Sequence, residues 1–244
     1  MHKFNLSGKV YVLFLAASLQ MLFSCTAVNN SRTIGKGNTG VELSLGGPLM
    51  TNLGVAMPIP NLYLGGRFGV REDLDISGHL NLTSPIIPGI ALDLITSAHW
   101  VPFQPGTGNQ SATPDRGWSS GLGLDIQWVT DFKGGLVVLP SIDLSGSHRY
   151  RWLSTFAGSA FGLNFYRPGD ESILQISPFL GFEFITRKNL SFCIKFTAYD
   201  LLFNYDGSQV YWVYLKENTP ARQKYAPLGI SIGASYVFTR RAQD

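Results

Sequence analysis

From residue 40 onward, ten stretches alternate apolar and polar residues with a period of two, and nearly all charges inside them fall on the polar positions. The cleanest is the last, where Leu228, Ile230, Ile232, Ala234, Tyr236 and Phe238 interleave with Gly229, Ser231, Gly233, Ser235 and Val237. Alternation of this kind specifies a strand with two unlike faces. It predicts strands near 40–47, 61–71, 74–83, 89–100, 118–130, 134–146, 153–166, 172–186, 189–204 and 226–238. No helical period of useful length appears in this region. Short links rich in turn residues, such as Arg71-Glu72-Asp73 and Lys133-Gly134-Gly135, make consecutive strands antiparallel neighbours. Three longer segments, 48–60, 101–117 and 205–225, interrupt this meander. Pro48, Pro58 and Pro60 lie in the first and Pro102, Pro105 and Pro114 in the second, where missing backbone donors argue against central strand.

The two faces differ in chemistry. One carries residues such as Leu64, Phe68, Ile76, Leu122, Leu124, Leu180, Phe192 and Phe196. The other carries Glu42, Arg67, Asp75, His79, Asp93, Asp125, Gln127, Asp143, Gln175, Glu183 and Lys195. If the sheet crosses a bilayer, each charge facing lipid at mid-depth costs roughly 2 kcal/mol or more. Several of them would cancel a domain's whole stability of about 5–15 kcal/mol. The charged face must then be the interior. The expected fold is all-β, an antiparallel up-and-down transmembrane β-barrel of about ten strands. Alternation alone also permits the inverse, a soluble barrel with the apolar set inside around an apolar ligand. Two features favour the membrane form. Gly121, Gly123, Gly181, Gly229 and Gly233 crowd the polar face, as a narrow closed barrel requires. Tyr63, Trp100, Trp118, Trp128, Tyr150, Trp152, Tyr166 and Tyr236 lie toward strand ends, where interfacial rings belong.

Composition agrees with a surface that does without charge. Only 14% of the 244 residues are charged, against roughly 25% in ordinary soluble domains. The net charge of +3 and the absence of a basic cluster beyond Arg240 and Arg241 argue against nucleic acid as a partner. Lys3 and Lys9 precede an apolar run from Val10 to Phe23, shorter than the roughly 20 residues a spanning helix needs. It reads as a signal peptide. Its end, Leu22-Phe23-Ser24-Cys25, resembles the lipobox of bacterial lipoproteins. That resemblance implies a covalent lipid anchor at Cys25 and, with Thr26 following, sorting to the outer membrane. The expected organisation is a leader at 1–24, a tether at 25–39, the barrel at 40–238 and a tail at 239–244. The second cysteine, Cys193, lies on the polar face and reads as a small buried thiol.

The hairpin from Leu64-Gly65-Gly66-Arg67-Phe68-Gly69-Val70-Arg71 through Glu72-Asp73 to Leu74-Asp75-Ile76-Ser77-Gly78 resembles one that recurs in bacterial outer-membrane barrel proteins. The last strand, ending Tyr236-Val237-Phe238, is similar to the signal read by the barrel-assembly machinery, although Thr239 to Asp244 follow it. The resemblance implies outer-membrane lipid around the barrel, assembly by that machinery and no particular activity.

Candidate chemistry is sparse. Ser145, Ser147 and His148 invite comparison with outer-membrane acyl-hydrolases, but Ser147 and His148 start on opposite faces of an extended strand. His79 and His99, with Asp75 and Asp93, are conceivable metal ligands. A pairing of interior charges is the plainer expectation, with Arg67 and Lys195 shared among Glu42, Asp75, Asp93, Asp125, Asp143 and Glu183. No catalytic set, metal site or cofactor motif is assigned. The sequence points to a barrel with a structural or narrow-pore role, the soluble apolar-ligand barrel and the hydrolase being its alternatives.

Overall fold

The computed structural model describes residues 30–52, 55–58, 61–86, 92–104, 116–131, 135–163, 165, 173–186, 189–199, 201 and 228–239. The leader, Cys25, Tyr166, most of 101–117 and 205–225, and the tail beyond Thr239 lie outside the described residues.

The strands are β1 (Thr39–Asn52), β2 (Val55–Pro58), β3 (Asn61–Arg71), β4 (Leu74–Asn81), β5 (Leu92–Phe103), β6 (Arg116–Thr130), β7 (Leu136–Tyr150), β8 (Leu153–Leu163), β9 (Leu174–Ile185), β10 (Leu190–Ala198) and β11 (Leu228–Phe238), with one 3-10 turn at Ser84–Ile86. Every neighbouring pair is antiparallel, and the sheet closes where β11 pairs with β1 from Thr39↔Phe238 to Pro48↔Gly229. All strands but β2 form the closed wall, so the chain is a ten-stranded up-and-down barrel. Closure removes the unpaired edges that an open sheet would expose.

The segment 48–60 differs from its reading as a loop. β1 runs on through Pro48 to Asn52 and folds back as β2, Leu49 pairing with Pro58 and Asn52 with Val55. Among the described residues β2 has no second neighbour. Proline is tolerated on such an edge because its missing donor breaks no ladder.

Polarity is inverted relative to a soluble protein. Leu124 is 50% exposed and Ile142 47%, whereas Asp75 is 0% and Asp143 6% exposed. Val41, Leu43, Leu64, Phe68, Ile76, Leu80, Leu122, Leu144, Leu180, Phe192, Phe196 and Ile232 continue the outer apolar surface. Such a surface exceeds the few hundred Å² of contiguous apolar patch that a soluble monomer tolerates. The alternative of a barrel with this Leu, Ile and Phe set lining a dry cavity is thereby overturned: those side chains point outward.

Aromatic side chains gather at one end. Trp100, Phe103, Trp118, Tyr150, Trp152, Tyr236 and Phe238 are exposed there, where Thr39 meets Phe238 and Arg116 meets Tyr150. Trp128 lies toward the opposite end, its Nε1 donating to Thr96 Oγ1 at 3.1 Å. Tyr63 departs from the girdle reading. It is 2% exposed inside the barrel, because it shares strand parity with Asn61 and Arg67.

The interior glycines have a steric cause. His79 pairs with Gly65, His99 with Gly123, Phe156 with Gly181 and Phe179 with Gly158. In each case the ring crosses the glycine, and a Cβ there would overlap it. The rings thus lie along the wall, and glycine is the residue that leaves them room.

Candidate functional site: the barrel interior

Inward positions of β1, β3 and β4 converge at the end where β1 begins and β11 ends. Arg67 Nε donates to Asp75 Oδ2 at 2.8 Å, and its Nη1 lies 3.7 Å from Glu42 Oε1. His79 Nε2 sits 2.7 Å from Glu42 Oε2. The register explains the meeting, because Glu42, Gly65 and His79 lie in one row around the barrel and Arg67 fills the next inward position beside them. All four side chains are nearly fully buried. Burying an ion costs several kcal/mol unless attraction and hydrogen bonds replace its water, and here each charge has a partner.

A second cluster lies farther along the barrel. Asp93 Oδ2 accepts from Tyr63 OH and from Asn81 Nδ2, both at 2.9 Å, and its Oδ1 accepts from Gln127 Nε2 at 2.8 Å. Asn81 Nδ2 also donates to Asn61 Oδ1 at 2.9 Å. Three neutral donors thus hold this carboxylate, with no cation at ion-pair distance among the described residues. Charge-assisted bonds of this kind are roughly twice as strong as neutral ones.

The remaining charges are spread. His99 Nε2 is 3.8 Å from Asp125 Oδ1, and Asp143 is the register partner of Gly123, over which the His99 ring lies. Glu183 is on the inward side of β9, opposite Cys193 and Ser154. Gln175 pairs with Gly162. Lys195 acts on Asp125 and Asp143 through space rather than by a direct ion pair. Its ammonium lies 4.2 Å from the Phe179 ring centroid, and among the described residues no carboxylate is within ion-pair distance. A cation over an aromatic face gains about 0.5–2 kcal/mol, more when desolvated. Cys193 is buried beside Phe156 and Phe179.

The segment read as a tether is partly inside the barrel. Ser31, Arg32 and Thr33 are buried. Ile34 N donates to Asp75 Oδ2 at 2.9 Å, Thr33 Oγ1 to Glu72 O at 2.6 Å, Thr33 N to Gln104 Oε1 at 2.9 Å, and Arg32 Nη2 to Gly117 O at 3.0 Å. Arg67 Nη2 donates to Arg32 O. Most of these bonds use backbone atoms, which leave no mark on the sequence. The legible signal is the pair of inward glycines Gly69 and Gly121, where a Cβ would press on this segment.

The hydrolase residues are not assembled. Ser147 is buried, its Oγ 2.7 Å from Ser119 Oγ. His148 is on the other face of β7, its ring 4.6 Å from that of Trp118. Among the described residues no group of three or more His, Cys, Asp or Glu is placed to hold a metal ion. What the interior does chemically is neutralise and brace: it pairs charge across β1, β3, β4, β5 and β6.

No protein-family model matches the chain, and no curated protein matches it. Similar solved structures include OccAB2 of Acinetobacter baumannii, at 11% identity and a TM-score of 0.32, with 81% of this chain and 59% of that one covered. The chain thus spans about three fifths of the length of OccAB2. Another is Ail, the attachment invasion locus protein of Yersinia pestis, at 8% identity and a TM-score of 0.25, with 83% and 99% covered. Likeness at these scores carries no weight, and the functional reading rests on the barrel's own faces.

Proposed function

We propose that the chain is a bacterial outer-membrane β-barrel, exported by its leader and lipidated at Cys25, with a structural or narrow-pore role. The observation that carries the reading is the inverted polarity, apolar side chains outside a closed wall and charged ones within. Only lipid accepts that outer surface without aggregation. With the start of β1, the end of β11 and the short β3–β4, β7–β8 and β9–β10 links at one end, the usual orientation puts that end in the periplasm. The segment 105–115 would then be a long periplasmic loop. The exposed aromatics at the same end suit the inner interface.

Ten strands leave little open lumen once side chains fill it. Glu42, Asp75, Asp93, Asp125, Asp143 and Glu183 outnumber Arg32, Arg67 and Lys195, which favours cations over anions should any ion pass. The final strand, with Tyr236 and Phe238 facing outward, supports recognition by the barrel-assembly machinery. A lipid at Cys25 would add roughly 0.8 kcal/mol of anchoring per buried methylene. The test is membrane fractionation of a Cys25→Ser variant with heat-modifiable gel mobility. Retention in the outer membrane with a mobility shift on boiling supports the reading. Release as a soluble periplasmic protein ends it.

A further inference from the structure

We infer that residues Asn30–Asn38 are an autoinhibitory plug, a strap of the chain's own N-terminal side that fills the barrel mouth at the end where β1 begins and holds the lumen shut there. The inference rests on the membrane-barrel reading and adds to it an element inside the wall. The strap is held along its length. Its middle is fixed by Asp75, Gln104 and the Glu72 carbonyl, and its far end pairs with β3, Gly37 N donating to Gly69 O at 2.8 Å and Gly69 N to Asn38 O at 3.0 Å.

The wall is shaped to the strap. A Cβ on Gly69 would overlap the carbonyl of Gly35, and one on Gly121 would lie 3.1 Å from Asn30 O and 3.2 Å from Ser31 Cα. A side chain at Gly69 would force the strap to move and one at Gly121 would crowd it, so the barrel has left space at two distant points of one inserted segment. Asp75 links the strap to the interior charges. It accepts from Ile34 N and from Arg67 through the same oxygen, so displacing the strap removes one of the bonds that satisfy a fully buried carboxylate. A single docking interaction thereby couples closure of the mouth to the charge network behind it.

The experiment uses the full chain in a Cys25→Ser, Cys193→Ser background, refolded into phosphatidylcholine vesicles and checked by heat-modifiable mobility. One cysteine is then placed at Ser31, which is 0% exposed, or at Lys36, which is exposed in the same strap. With a water-soluble maleimide, Ser31→Cys is expected to react at least about tenfold more slowly than Lys36→Cys, as segmental protection requires. Gly69→Ala, which adds a single methyl against Gly35, is expected to abolish that difference and to raise conductance in planar bilayers. Equal labelling at both sites overturns the plug, as does a Gly69→Ala barrel whose Ser31 is freed while its conductance stays at the parent level. A chain that keeps Ser31 protected but never enters vesicles overturns the membrane reading instead, and the two failures are thereby told apart.

Discussion

Replacing Arg67 by methionine should be the most damaging single change to the interior. Arg67 is 5% exposed, and its guanidinium contacts Asp75, Glu42 and the Arg32 carbonyl. Methionine keeps most of the length and removes the charge. Asp75 and Glu42, 0% and 3% exposed, are then left close together with like charge and without their shared cation. Breaking a buried pair in this way costs about 3–5 kcal/mol. That is at least about a fifth of a typical domain stability of about 5–15 kcal/mol. Adding Asp75→Asn should recover a large part, because the amide oxygen still accepts from Ile34 N while the repulsion disappears. The assay is urea unfolding of the refolded barrel in lipid vesicles, followed by tryptophan fluorescence, for the single and double variants. A loss below about 1 kcal/mol would match an exposed ion pair and would refute the claim that these charges depend on one another.

Two further outcomes follow from local geometry. Gly181→Ala places a methyl on the Phe156 ring and should cost about 1–3 kcal/mol by overpacking; in the same unfolding assay, Phe156→Leu should relieve part of the loss, and equal costs with and without that change would show that the ring is not the cause. In the exposed β3–β4 turn, hydrogen bonds from Arg71 and then Trp100 hold the Asp73 carboxyl below its ordinary range. A depressed folded value means that this contribution is present above about pH 3.9, the unfolded value, and is lost as pH falls through the folded one. Carboxyl-carbon NMR should place the Asp73 titration below that value and move it up in Arg71→Ala; no movement would detach the shift from the turn.

Alternation made the wall legible because each strand of a closed barrel meets two different solvents, and a residue's parity alone decides which one it meets. Glu42, Arg67, Asp75 and His79 can be assigned to one face in this way. Tyr63 carries the same signal: it shares parity with Arg67, and parity outweighs its position near a strand end. The strap was not legible. Its bonds run largely through backbone groups, and Asn, Ser and Gly in 30–38 have no period, so the same composition serves an unattached linker and a docked segment. The β1–β2 extension was hidden by Pro48 and Pro58, which argue against central strand and are silent about an edge. The contact of the Lys195 ammonium with the Phe179 face has no sequence signal, because parity places both side chains inside without saying which of them meet.

In the membrane-barrel reading the wall meets lipid outside and a polar interior within. A spin-label scan along β6 in vesicles, from Leu122 to Gln127, recording collision with oxygen and with a water-soluble nickel complex, distinguishes the two faces. Oxygen access should be high at Leu122, Leu124 and Ile126 and low at Gly123, Asp125 and Gln127, with little nickel access at the first three. Nickel access at Leu122, Leu124 and Ile126 equal to that of a soluble surface would place the apolar face in water and contradict that reading.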